Sequence, residues 1–230
     1  MLMGPVFRAE LLRTSRRRYY YLQRALYGIA LLTVLWLNYG RLLDIAQYRG
    51  GRPLISEIAE FALNTFIWFA VVQLFTLLIL VPPLFGGVIA DEKQRKTMHY
   101  LMASRLSSGA IVLDKLAARW MHVAVFILIG LPVISLLMLF GGVAGDYVIG
   151  AYAGTFSIVF FTAALAVLMS TFARRVGQGV LIAYLLEIAW LAGPPIFDAA
   201  CRSLFPGFYL WISPLSIWAL GTTPVSLLLW

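Results

Sequence analysis

"FALNTFIWFAVVQLFTLLILVPPLFGGVIA", Phe61 to Ala90, is thirty residues without one charged side chain. A helix needs about 20 apolar residues to cross the hydrocarbon layer of a bilayer. A run this long reads as a transmembrane helix, because buried segments of soluble domains are shorter. Working outward, similar windows recur on both sides. Ala25–Gly40 is framed by Arg24 and Arg41, whose long stems let their charges snorkel to the interfaces. Trp120–Gly145 and Tyr147–Ala173 are free of charge, Val176–Phe197 is broken only by Glu187, and Ser203–Trp230 closes the sequence.

Composition agrees with that reading. The chain is 62% hydrophobic and 12% charged, about half the charged share of a soluble domain. Net charge +8 invites a nucleic-acid reading, but the positive-inside rule accounts for it better. With the N-terminus cytoplasmic, fourteen of the eighteen Lys and Arg residues fall on the cytoplasmic side. The expectation is a multi-pass protein of the cell membrane (plasma or inner), N-terminus inside, in contact with membrane lipid and with no nucleic-acid partner. A single cysteine, Cys201, excludes an intramolecular disulfide and a cysteine metal site. Acidic and polar residues precede the first apolar run and no small-residue cleavage site follows it, so the first span reads as a retained anchor.

Residues 1–22 mix Phe7, Leu11, Leu12 and Tyr19 with arginines, a pattern that suits a helix lying in the interface. It equally serves as a signal that only orients the first span. Tyr19, Tyr20 and Tyr21 stand where an aromatic belt is expected. Gly40–Glu60 reads as an external loop, with a turn at "YRGGRP" and Ser56 as a possible cap for a helix entering span two. Pro82 and Pro83 should bend the end of span two. "GGVAGD" joins spans three and four as an antiparallel hairpin. The window 203–230 contains Pro206, Pro214, Gly221 and Pro224. It is a re-entrant segment, a sixth span, or the point where the sequence stops before one; the breakers favour the last.

The charged segment 91–118 breaks the apolar pattern. "DEKQRKTMHYLMAS" has no Gly or Pro, and Met98, Leu101 and Met102 recur at i, i+3, i+4 on one face. "RLSSG" interrupts it, and "AIVLDKLAARW" leads into span three. A short amphipathic helix on span extensions is built to receive force from a soluble partner, with methionines as an adaptable docking face. The plain alternative is a solvated connection whose charges only obey topology.

Ala90, Glu92, Lys93, Arg95, Thr97, Leu101, Leu106, Ser107, Ile111 and Lys115, in that order and spacing, resemble the signature of type-2 ATP-binding-cassette (ABC) exporter permeases. "GPVFRAELLR" near the N-terminus and "SPLSIWAL" from Ser213 resemble that family's opening and a stretch before its last span. Lys96, Arg105 and Asp114 depart from the usual glycine, proline and glycine. The resemblance implies an all-α integral membrane protein with five to six transmembrane helices, an N-terminal interfacial helix and a cytoplasmic coupling helix. It implies one permease domain over 1–230. It implies that Glu92, Lys93, Arg95, Thr97, Met98, Leu101 and Met102 dock a separate ABC ATPase subunit. That partner would bind ATP and Mg, and a second permease subunit, identical or different, would complete the path. This chain itself has no Gly-x-x-x-x-Gly-Lys-Ser/Thr phosphate loop and no catalytic motif, so no cofactor and no catalytic residue is assigned to it.

Glu187 is the acid well inside a window. A carboxyl there by default marks function, and it is the candidate for the translocation path. Its bland reading is a hydrogen bond to a neighbouring helix. No metal site is expected from His99 or His122, which lack a second ligand at helical spacing. Gly150 and Gly154 fit a small-xxx-small contact. Two other classes remain open: an intramembrane enzyme using Glu187 and His122, which requires the pair at matching depth, and a passive anchor for a cytoplasmic complex.

Overall fold

The computed structural model describes residues 7, 18–48, 50–51, 53–95 and 108–204. Among them are six helices and no strand: α1 (Arg18–Tyr48), α2 (Ile55–Phe85), α3 (Ala90–Arg95), α4 (Ser108–Leu139), α5 (Gly145–Phe172) and α6 (Val176–Leu204). Five of them, all but α3, are long and apolar enough to cross a membrane. This is the architecture of a multi-pass membrane protein. The window 203–230 lies outside the described residues from position 205 onward, and so does most of 1–22.

The helices outrun the charge-free windows. α1 continues past Gly40 to Tyr48, through residues that read as external loop. A helix ends where its last carbonyls find other donors, not where apolar residues end. Here Gly50 and Gly51 supply the stop. Both have positive φ (96° and 98°). The Gly51 amide donates to the Ala46 carbonyl at 2.8 Å and the Gly50 amide to that of Gln47 at 3.3 Å, the two bonds of a Schellman cap. At the other end, Arg18–Leu22 belong to α1 itself and form no separate interfacial helix. Tyr20 packs onto His122, with ring centroids 4.2 Å apart, while Tyr21 is exposed. Ser56 does not cap α2. The cap position is Leu54, whose amide donates to Glu57 Oε2 at 2.8 Å, the returning half of a capping box.

α2 is the central element and packs against α1, α4, α5 and α6. Half of its spanning window is buried, against 17% for α1 and 12% for α6. Phe66, Phe69, Leu77, Val81 and Phe85 form its inner face, meeting Val123 and Phe126 of α4 and Val159 and Ala163 of α5. Trp120 stitches three helices together, with ring centroids 5.6 Å from Phe85, 5.6 Å from Phe156 and 5.9 Å from Phe160.

The helix runs on through Pro82 and Pro83. A proline has no N–H, so these two leave the carbonyls of Leu78 and Ile79 without their helical donors. The Tyr184 hydroxyl on α6 donates to Ile79 O at 2.5 Å. Beyond the prolines, the Gly86 amide closes on Pro82 O at 2.8 Å, and the Arg119 guanidinium donates to Leu84 O. Two donors from other helices, Tyr184 and Arg119, thus serve carbonyls that the prolines and the helix end leave open. α6 crosses here at close range. A Cβ on Gly179 would lie 2.6 Å from Gly86 O, so only glycine fits. Gly150, by contrast, faces open space.

Candidate functional site

The charged segment begins where α2 ends. After the turn 86–89, α3 carries Asp91, Glu92, Lys93, Gln94 and Arg95. Its first turn is welded to the end of α5. The amides of Ile89 and Ala90 both donate to Ser170 Oγ, each at 3.0 Å. A hydroxyl oxygen has two lone pairs, so one serine satisfies both. Ser170 is fully buried.

Two side chains extend the weld. Lys93 Nζ donates to Thr171 O, the carbonyl next to the last residue of α5. A cation at that end complements the partial negative charge of the helix C-terminus. Gln94 Oε1 accepts from the Val176 amide at 3.3 Å, one of the orphan donors at the start of α6. α3 therefore touches the end of one span and the beginning of the next. With Gly86 against Gly179 and Gly87 against Val176, the segment is keyed to the end of α5 and the start of α6 at points from Gly86 to Gln94.

The same end of the bundle gathers cations. Arg24 Nη2 lies 3.1 Å from His122 Nδ1. Arginine carries only donors, so Nδ1 is the acceptor and the ring proton sits on Nε2. Arg119 reaches Leu84, and Arg174 and Arg175 occupy the α5–α6 turn. The opposite end of the bundle carries Arg41, Asp44, Glu57, Glu60 and Asp146.

Of the residues singled out in the sequence, Lys93 is brought to the end of α5, and Glu92 and Arg95 lie on the α3 backbone beside it. Thr97, Met98, Leu101 and Met102 fall outside the described residues, as does His99. Ser170 and Gln94 carry the anchoring and were not foreseen. A hydroxyl as the last polar residue but one in an apolar window was the available signal for Ser170.

Glu187 sits on α6, eleven residues beyond its start and about 16 Å along the axis. It is 8% exposed, and neither carboxyl oxygen has a hydrogen-bond partner among the described residues. One turn further, Trp190 packs on Leu74, Leu78 and Ile158 and on the Phe161 ring at 4.8 Å. His122 lies on α4 against Tyr20, Phe126 and Arg24. The Glu187 carboxyl and His122 make no hydrogen bond to one another: Nδ1 of the ring is taken by Arg24, and Nε2 and both carboxyl oxygens have no partner among the described residues. Among the described residues no group of three His, Cys, Asp or Glu side chains stands close enough to hold a metal.

A second buried polar group lies at mid-span. Tyr27 Oη donates to Gln73 Oε1 at 3.4 Å. Gly130 leaves room beside them: a Cβ there would meet Gln73 Oε1 at 3.2 Å and Tyr152 Oη at 3.3 Å. Four helices thus meet around one glycine.

No family model, no curated protein and no solved structure matches this chain.

Proposed function

We propose that the chain is the membrane-spanning permease subunit of an ATP-driven exporter, working with a separate ABC ATPase subunit and a second permease subunit. The resemblance of residues 90–115 to the type-2 permease signature raises the idea. The observation that carries it is the weld. A partner pressing on the 91–107 segment would act through Ser170, Thr171 and Val176 on the α5–α6 turn, and directly on the end of α2. A charged loop that merely connected spans needs no such anchoring.

In this reading the N-terminus and the α3 end of the bundle face the cytoplasm. The excess of Lys and Arg at that end supports the orientation. ATP and Mg bind the partner, and closure of the paired ATPases on ATP biases the span packing between two arrangements. Glu92, Lys93, Arg95, Thr97, Met98, Leu101 and Met102 form the docking face, and Glu187 lines the path.

The test is co-purification of the tagged chain from its native membrane, followed by mass spectrometry and ATPase assay. An ATPase with a phosphate-binding loop should accompany it. The combined variant Glu92→Lys, Lys93→Glu, Arg95→Glu should insert normally and lose both the partner and transport. Unchanged transport in that variant sinks the proposal. A bound partner whose hydrolysis the chain does not stimulate makes it a passive anchor.

A further inference from the structure

At the end of the bundle opposite α3, α1 and α2 part around a cavity of about 110 Å³, room for several water molecules. Its wall carries both signs of charge: Arg41 from α1, and Glu57 and Glu60 from α2. Its floor is neutral and polar. Asn64 Nδ2 donates to Asn38 Oδ1 at 3.4 Å, while Asn38 Nδ2 is held by Val34 O at 2.9 Å. Asn38 is nine-tenths buried. That network leaves the Asn64 carbonyl as an acceptor at the base. Phe61, Leu42 and Ile45 complete the lining. Phe61 is braced by Tyr39 and Phe140, with ring centroids at 6.5 and 6.3 Å.

Depth decides what can enter. The spanning segments Tyr20–Tyr48 and Ile55–Phe85 are 29 and 31 residues long, about 44 and 46 Å at 1.5 Å per residue. The hydrocarbon layer is about 30 Å thick and the bilayer with headgroups about 40–45 Å. The last two turns of α1 and the first two of α2 therefore stand at headgroup level, and the cavity opens there. Two carboxylates beside one guanidinium match a zwitterion. The guanidinium fork suits a phosphate, and the carboxylates suit an ammonium that has protons to donate. The apolar residues alongside suit the acyl chains that a headgroup brings with it.

From this geometry we infer a binding site for an aminophospholipid, with the primary ammonium between Glu57, Glu60 and the Asn64 carbonyl and the phosphate on Arg41. A quaternary choline ammonium has no N–H for those acceptors and is bulkier. The site is independent of any transported substrate and of which side of the membrane this end faces.

The test uses the full chain, purified in detergent until bulk lipid is removed. It is offered equal amounts of phosphatidylethanolamine, phosphatidylcholine and phosphatidylglycerol with identical acyl chains, and native mass spectrometry counts what stays bound. The ethanolamine lipid should be retained over the choline lipid by about tenfold, as expected for a charge-assisted hydrogen bond. Glu60→Gln, at an exposed position, should bring the ratio towards parity without changing elution or helical content, and Glu60→Asp should restore part of it. Arg41→Gln, also exposed, should lower retention of both lipids alike, since both carry the phosphate. Equal retention of the ethanolamine and choline lipids by the wild type overturns the inference, as does a ratio that Glu60→Gln leaves unchanged. Preferential retention of phosphatidylglycerol also overturns it, since that leaves Arg41 acting alone.

Discussion

The Tyr184 hydroxyl donates to the carbonyl of Ile79, a group that Pro83, four residues on, leaves without an amide. The sequence supplies the defect on α2 and its remedy on α6, 105 positions apart. Tyr184→Phe should therefore destabilise the bundle by about 0.6 kcal/mol, with up to ~1.7 as the upper range for interhelical bonds in membranes. The same change in a Pro83→Ala background should cost less, because alanine returns the missing donor. A double-mutant cycle of unfolding in mixed micelles measures the difference, and a coupling of zero would show that the hydroxyl serves another partner.

Ser170→Ala removes the acceptor for two amides, that of Ala90 buried and that of Ile89 partly so. Leaving buried donors unsatisfied costs about 1–3 kcal/mol. Hydrogen exchange should quicken at Ile89 and Ala90 while the centre of α2 stays protected. Under the proposed function, the variant should still bind the ATPase and respond poorly to it, which separates docking from transmission. Unaltered exchange at both amides counts against the weld.

Gly179→Ala and Gly28→Ala should differ sharply. At Gly179 the new methyl would meet the Gly86 backbone, whereas Gly28 faces open space on α1. Overpacking of the first kind typically costs about 1–3 kcal/mol. The second should be neutral or slightly stabilising, given the better helix propensity of alanine. Thermal unfolding of the two variants in detergent, compared with the parent chain, provides the check.

Glu187→Leu should raise stability, by about 1 kcal/mol or more, because an unpartnered carboxyl leaves the interior. Transport should fall in the same variant if the carboxyl lines the path. Glu187→Gln tests charge apart from shape, and should lose transport of cationic cargo most. A fall in stability for the leucine variant would instead reveal a partner for the carboxyl in the assembled complex.

Legibility was uneven for physical reasons. Four of the five described spans stand on charge-free windows and the fifth on one broken only by Glu187, since the bilayer admits little else. Span ends did not follow the windows. Arg41 and Asp44 extend α1 because headgroups tolerate charge and the backbone runs on until Gly50 and Gly51. The inward faces were hidden too, because lipid-facing and core-facing residues are alike apolar. What marks the interior is the scattered polar set: Thr65, Gln73, His122, Thr155, Thr162 and Ser170, all buried. Lys93 was visible as charge, but its partner on α5 was not, because 78 positions separate them and no local pattern encodes such a meeting. The proposed docking residues Thr97, Met98, Leu101 and Met102 lie outside the described residues and stay with the sequence argument.

The position of α2 has a consequence for how descendants of this chain can diverge. α1 and α6 leave most of their spanning windows unburied by the described residues, and at such positions one greasy side chain serves as well as another. A replacement on α2 is felt at the seams with α1, α4, α5 and α6 at once. Substitutions should accumulate quickly on the two flanks and slowly along the central helix. A distant relative would then keep the spacing of Thr65, Gln73, Pro82, Pro83 and Gly86 long after its outer helices had become unrecognisable.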